Sequence, residues 1–98
     1  MKIKIQSVHF TADKKLLDFI DERVNKLTHF NDGILSGDVT LRLDKSASAE
    51  NKIAEIKLHV SGTDLFAKRQ CKSFEEAIDG SVDALKNQVK KNKEKRKG

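Results

Sequence analysis

The sequence predicts an α+β fold in the order β-α-β-β-β-α, a four-stranded mixed sheet with two helices packed on one face. Short segments that alternate polar and apolar residues indicate strands with one apolar face each. Two longer segments repeat apolar residues at helical spacing, and turn-forming residues separate the elements. The 98 residues are enough for one modest hydrophobic core, so residues 1–98 are expected to form a single domain.

The first strand and the first helix occupy the N-terminal third of the chain. Residues 2–7 alternate polar and apolar side chains, which predicts a half-buried strand. Asp13 is a candidate N-cap for a helix whose apolar positions follow helical spacing: Leu16, Ile20, Val24 and Leu27. The Asn-Asp-Gly turn at residues 31–33 ends this helix. A right-handed crossover through the helix would place the second strand parallel to the first.

Three strands and a helix make up the rest. Residues 38–44 and 54–60 alternate strongly and flank a Ser- and Ala-rich loop at 45–51. Residues 61–64 predict a hairpin turn, and residues 65–71 form the returning strand. Ser73 is the expected N-cap of the last helix, with acids in its first turn. The apolar stripe of that helix comprises Phe74, Ile78, Val82, Leu85 and Val89.

Positive charge is concentrated at the C-terminal end, residues 86–98, which is expected to be helical. This segment carries seven of the twenty Lys and Arg residues and one acid, whereas residues 1–85 hold thirteen bases and fourteen acids. At about 100° per residue, one stripe beside the apolar one comprises Lys86, Lys90, Lys93 and Lys97. Lys91 and Lys95 point to the other side. Such a stripe predicts affinity for the phosphates and shape of a nucleic acid. The alternative is a solvated helix end that complements the helix dipole.

Several classes of protein are disfavoured. No apolar run approaches the roughly 20 residues of a membrane span, and the lone Cys71 fits a reducing cytoplasm. The imidazole and thiol groups match no zinc spacing and are expected to be structural or solvent-facing: His9, His29, His59 and Cys71. Asp79 and Asp83 share a helix face, where a polar flank is favoured over a cation site. We therefore expect no enzymatic activity, metal, cofactor or small-molecule substrate.

The last helix carries a family resemblance. The run Ala77-Ile78-Asp79-Gly80, continued by Asp83, Leu85, Gln88, Lys91, Lys93 and Lys95, resembles the final helix of the short ribosome hibernation-promoting factors. This family is also described as ribosome-associated inhibitors or sigma-54 modulation proteins. The first helix and first strand agree, through Phe19-Ile20, Arg23, Lys26-Leu27 and Ile3-Lys4-Ile5. The resemblance covers nearly the whole chain and implies a layout like that of double-stranded RNA-binding domains.

Two positions depart from the family. Glu75 stands where many members have Tyr, and Asn87 stands where many have Arg. The first change removes an aromatic contact, and the second shifts positive charge to the neighbouring Lys86 and Lys90.

The resemblance implies a function on the ribosome. The protein would bind the small subunit near the mRNA and the A- and P-site tRNA channel, keeping ribosomes inactive but protected during slow growth or stress. The implied rRNA-binding residues are Lys86, Lys90, Lys91, Lys93, Lys95, Arg23 and Lys26. Further candidates are Lys68, Arg69 and Lys72, although strand alternation places them on different faces. For Arg23 a surface ion pair with a nearby acid is an equal alternative. We expect a cytoplasmic protein that is a monomer away from the ribosome.

Two other functions stay open at this stage. One is a protein-binding regulator, of the kind that the sigma-54 modulation name suggests, with the mixed-charge sheet face as its contact surface. The other is a stand-alone module for double-stranded RNA, which would share the fold layout.

Overall fold

A computed structural model of the chain describes residues 1–45 and 49–97, and it has the predicted order of elements. The side chains of residues 94–97 lie outside the described set. The strands are β1 (Lys2–Ser7), β2 (Ile34–Leu43), β3 (Lys52–Val60) and β4 (Thr63–Cys71). The helices are α1 (Lys14–Asn25), which a 3₁₀ turn (Lys26–His29) extends, and α2 (Phe74–Lys97).

The four strands form one mixed sheet in the order β1-β2-β3-β4. β1 is parallel to β2, and the other neighbours are antiparallel, so the predicted strand directions are confirmed. Ile5, Val39, Ile56 and Ala67 lie opposite one another in register and form an apolar row across the sheet. Because side chains alternate between faces, this row defines the face that the helices cover.

The core lies between that face and the two helices. Ile20, Ile56 and Leu85 are fully buried, one each from α1, the sheet and α2. The predicted α2 stripe needs one correction, because Val82 is only half-buried and lies at the margin. Ser81 is buried in its place, and its hydroxyl donates to the Ala54 carbonyl at 3.5 Å. The buried side of α2 is centred on Ala77, Ser81 and Leu85, so Val82 lies at the edge of the contact with the rest of the fold.

Both predicted helix caps are confirmed. Asp13 Oδ1 accepts from the Leu16 amide at 2.8 Å, and Ser73 Oγ accepts from the Glu76 amide at 3.1 Å. Each cap satisfies a backbone donor that the first helical turn leaves without a partner, so the start of each helix is fixed.

Several element boundaries differ from the predictions. β2 begins at Ile34, four residues before the strand predicted at 38–44, because a bulge between Ile34 and Ser36 breaks the alternation there. The hairpin loop is only Ser61-Gly62, and Gly62 supplies the positive φ of +89° that so tight a turn needs. The predicted first helix tightens into the 3₁₀ turn after Asn25.

Candidate nucleic-acid interface

A groove separates α1 and the 3₁₀ turn from α2, on the side of the molecule that the helices form (the helical side). Its volume is about 470 Å³ and it is open to solvent. The floor is apolar, and the walls carry both charge signs. The lining residues are Arg23, Lys26, Leu27, His29, Phe30, Asp79, Val82, Asp83 and Lys86.

Two lysines of α2 converge on one aromatic ring at the mouth of this groove. The ammonium nitrogen of Lys86 lies 5.1 Å from the centroid of the Phe30 ring, and that of Lys90 lies 4.9 Å from it. Phe30 itself is half-buried against the core, so its position is fixed by packing. Residues 86 and 90 are one helical turn apart, which is why both side chains reach the same ring.

The two candidates from the first helix are each paired with a carboxylate. Arg23 Nε lies 3.3 Å from Asp79 Oδ1, and its guanidinium stacks 4.7 Å from the centroid of the Phe19 ring. Lys26 Nζ lies 3.6 Å from Glu22 Oε1, one helical turn earlier. The structure therefore shows the ion pair considered for Arg23, and Asp79 is part of a polar flank beside the core. Both cations remain partly exposed at the groove wall.

A buried amide ties α2 to the loop after the 3₁₀ turn. Asn31 is 1% exposed, and its Nδ2 donates to the Val89 carbonyl at 3.4 Å and to Asn92 Oδ1 at 3.2 Å. Its Oδ1 accepts from the Gly33 amide at 2.8 Å. These bonds hold the part of α2 that carries Lys90 and Lys93 against the fold. The sequence marked Asn31 only as a turn residue, because its partners lie about sixty positions away.

The other lysines of α2 face different directions. Lys91 lines a shallow notch beside the start of β4, together with Thr63, Leu65, Gln88 and Asn92. Lys93 is exposed, and the side chain of Lys95 lies outside the described residues. Lys86 and Lys90 thus lie on one side of the helix and Lys91 on another, as predicted, and the side chain of Lys97 also lies outside the described residues.

The three further candidates are not gathered at the groove. Lys68 lies opposite Glu55 on the sheet face that the helices leave uncovered, which we call the open face. Arg69 lies on the helix-covered face, where a Cβ on Gly80 would come within 3.2 Å of its Cγ. Lys72 is exposed between β4 and α2. The prediction that these residues occupy different faces is confirmed.

The open face carries a chain of ion pairs that the sequence did not reveal. His59 Nε2 lies 2.9 Å from Asp38 Oδ2, and its Nδ1 lies 3.1 Å from Asp64 Oδ1. Hydrogen bonds to these carboxylates, first Asp38 and then Asp64, raise the pKa of His59 above its ordinary value of 6.5. Lys57 Nζ lies 3.7 Å from Asp64, and Arg42 pairs with Glu55 at 2.5 Å. The register between the strands brings these residues together, and the alternation of polar and apolar residues within one strand does not reveal that register.

Among the described side chains, those of residues 1–45 and 49–93, no group of three or more His, Cys, Asp or Glu is arranged to hold a metal ion. No helix in the same residues is long and apolar enough to cross a membrane.

Comparison with known proteins places this architecture in a family. Residues 3–97 match the model of the family described as Sigma 54 modulation protein / S30EA ribosomal protein. The ribosome hibernation promoting factor of Klebsiella oxytoca is 30% identical over 97 residues, covering 99% of this chain and 98% of the relative. The ribosome hibernation promoting factor of Azotobacter vinelandii is 32% identical over 95 residues, covering 97% of this chain and 85% of the relative.

Solved structures agree with this relationship. The N-terminal domain of Thermus thermophilus Protein Y superposes with a TM-score of 0.81 at 26% identity, covering 93% of this chain and 98% of that one. A ribosomal subunit interface protein from Coxiella burnetii shares the fold, with a TM-score of 0.84 at 16% identity over 95% and 98% of the two chains. The chain thus belongs to the Sigma 54 modulation protein / S30EA ribosomal protein family.

Proposed function

We propose that this protein binds the small ribosomal subunit through its helical side and keeps ribosomes inactive but protected during slow growth or stress. The binding position is near the mRNA and the A- and P-site tRNA channel, and the contacts are mainly to rRNA phosphates. The family match and the hibernation-factor names of the relatives support this function. The protein acts in the cytoplasm as a binding protein and is a monomer away from the ribosome.

The convergence of Lys86 and Lys90 on Phe30 is the observation that carries the proposal. No described carboxylate pairs with either ammonium group, so both are available to an external anion. Exposed Lys93 extends this positive surface along α2, and Arg23 and Lys26 lie across the groove. Each lysine that neutralises a phosphate releases counterions, which makes binding favourable and salt-dependent.

The remaining candidates have lesser roles in this proposal. Lys91 contributes a phosphate contact from the other side of α2, and Lys95 contributes one further along the chain. Because Lys68, Arg69 and Lys72 lie apart from the groove, any rRNA contact that they make is peripheral.

Sedimentation of ribosomes with purified protein tests the proposal. Wild-type protein is expected to travel with the small subunit at low salt and to be released by RNase. The double variant Lys90→Glu and Lys93→Glu should lose co-sedimentation while its thermal melt stays nearly unchanged, because both side chains are exposed.

A matched variant with the same charge change controls for net charge. The double variant Lys2→Glu and Lys4→Glu changes two exposed lysines of β1 on the open face. This variant should bind ribosomes nearly as well as the wild type. Equal losses in the two double variants would show that net charge alone matters and that the helical side is the wrong surface. Complexes that survive RNase would favour the protein-binding regulator. Equal affinity for a plain RNA duplex would favour a general double-stranded RNA module.

A further inference from the structure

Phe30 has a role that core packing alone does not require. Its ring is half-buried, and its inner surface packs against the core, as a Leu side chain in the same place would do. Only an aromatic ring offers a negative face to cations, and here two ammonium groups lie about 5 Å from its centroid.

The contacts with Phe30 differ from those of the other cations at the groove. Lys26 lies beside Glu22, and Arg23 lies beside Asp79, so an incoming phosphate must compete with a carboxylate at each. The Phe30 ring is neutral and does not neutralise the charge of Lys86 or Lys90. Ammonium groups over a ring keep N–H donors directed away from it, so they can still bind a phosphate oxygen.

The ring also lowers the entropic cost of binding. Lysine has four rotatable bonds and loses much of this freedom when its ammonium group is immobilised. Contact with Phe30 restricts both side chains before any ligand arrives. The spacing of one helical turn brings the two ammonium groups to the same place at the groove mouth.

The acids at the groove define where an anion can sit. Asp79 and Asp83 lie on the same face of α2, one turn apart, and both line the groove. Lys90 is beyond them, toward the C-terminal end of α2, and contacts Phe30. A phosphate is therefore repelled from the Asp79 end and attracted to the Phe30 end.

We propose that Phe30 is the positioning residue of a two-lysine clamp, in which Lys86 and Lys90 together bind one phosphodiester group of an RNA strand. This inference rests on the proposed ribosome-binding function, because rRNA supplies the phosphodiester.

The decisive variant is Phe30→Leu, with Phe66→Leu as its matched control. Phe66 is 51% exposed on the open face, opposite Lys57 in the sheet, and lies away from the lysines of the groove. Phe30→Leu is expected to bind ribosomes about three- to tenfold more weakly, because two side chains must now be ordered on binding. Phe66→Leu should bind as wild type. Phe30→Tyr keeps the ring and should restore most of the affinity.

The salt dependence of ribosome binding distinguishes the loss of lysine positioning from the loss of a lysine charge. In Phe30→Leu both lysines remain, so the slope of log affinity against log salt should equal that of the wild type. In Lys86→Gln the slope should fall by about 0.7–0.9, the effect of one missing phosphate contact. NMR supplies a readout without ribosomes: the ring current of Phe30 should shift the Hε signals of Lys86 and Lys90 upfield, and Phe30→Leu should abolish the shift.

Each result decides something different. Wild-type protein that does not bind ribosomes overturns the proposed function and the RNA ligand of the clamp together. Wild-type binding with unchanged affinity in Phe30→Leu overturns the clamp alone. If Phe30→Leu does not fold, Phe30→Met, which fills the space with a flexible side chain and offers no ring, replaces it with the same expectations. Lysine Hε signals at ordinary positions in the wild type also overturn the clamp.

Discussion

The helical side and the open face carry similar residue types but arrange them differently. On the open face, Asp38, Asp64 and Glu55 each contact a basic side chain of the protein itself. At the groove mouth, Lys86 and Lys90 contact an aromatic ring and no described carboxylate. These three carboxylates of the open face contact basic side chains of the protein itself, whereas the two lysines at Phe30 contact no described carboxylate and remain open to a partner.

This contrast shows why composition is a poor guide to a binding surface. A count of lysines does not distinguish a face whose charges are paired from one whose charges are free. What distinguishes them is the register of the strands on one side and the packing of Phe30 on the other. Lys86 and Lys90, which contact Phe30 and no described carboxylate, therefore define the proposed binding surface more sharply than the net charge does.

The largest effect is expected from Asn31, which holds the lysine-bearing part of α2 in place. Asn31→Ala leaves the Gly33 amide without its acceptor and removes two bonds to α2. The free energy of unfolding should fall by about 1–3 kcal/mol in urea titration. The exposed Asn87→Ala in the same helix should change it by less than about 0.5 kcal/mol. Equal stabilities of the two variants would mean that Asn31 does not anchor the helix.

A smaller effect is expected from the ion pair at the groove. Asp79→Asn removes a negative charge beside Arg23 and frees the guanidinium, so affinity for ribosomes should rise about two- to fivefold. Stability should change by less than about 1 kcal/mol, because both partners are partly exposed. Asp18→Asn, an exposed change on α1 that is not part of the groove lining, is the control for net charge. A loss of affinity in Asp79→Asn would show that the pair orients Arg23 for binding.

The smallest effect concerns His59 on the open face. Its pKa is raised in the folded protein by Asp38 and Asp64, so the protonated form stabilises the fold. The contribution is complete below pH 6.5, the ordinary value, and is lost as the pH rises through the folded-state pKa. His59→Gln should remove this pH dependence from urea titrations, and NMR titration of the wild-type imidazole measures the pKa. A midpoint at or below 6.5 would contradict the arrangement of the three side chains.

The sequence predicted more of the fold than of the candidate site. Alternation, helical spacing and capping residues are local properties, so they predicted the element order and both caps. The crossover through the first helix then predicted the parallel pairing of β1 and β2. The bulge near Ile34 disrupted alternation and hid the start of β2.

The site depends on contacts between distant residues, and this limits what the sequence can show. The α2 lysines were found from charge and spacing, but the contact of Lys86 with Phe30 required the packing of two helices. The same holds for Asn31 with Val89 and for His59 with Asp38. No pattern within one segment encodes any of these pairs.

The notch that Gln88 and Lys91 line on the far side of α2 bears on solubility. Gln88 Nε2 donates to the Phe66 carbonyl at 3.0 Å and so occupies a polar group on the outer edge of β4. An edge strand with an exposed aromatic side chain is a ready template for another copy of the chain. Because Gln88 already bonds that carbonyl, an approaching strand would have to displace the helix that carries the lysines. The helix that carries Lys86 and Lys90 thus also hinders edge-to-edge pairing at β4.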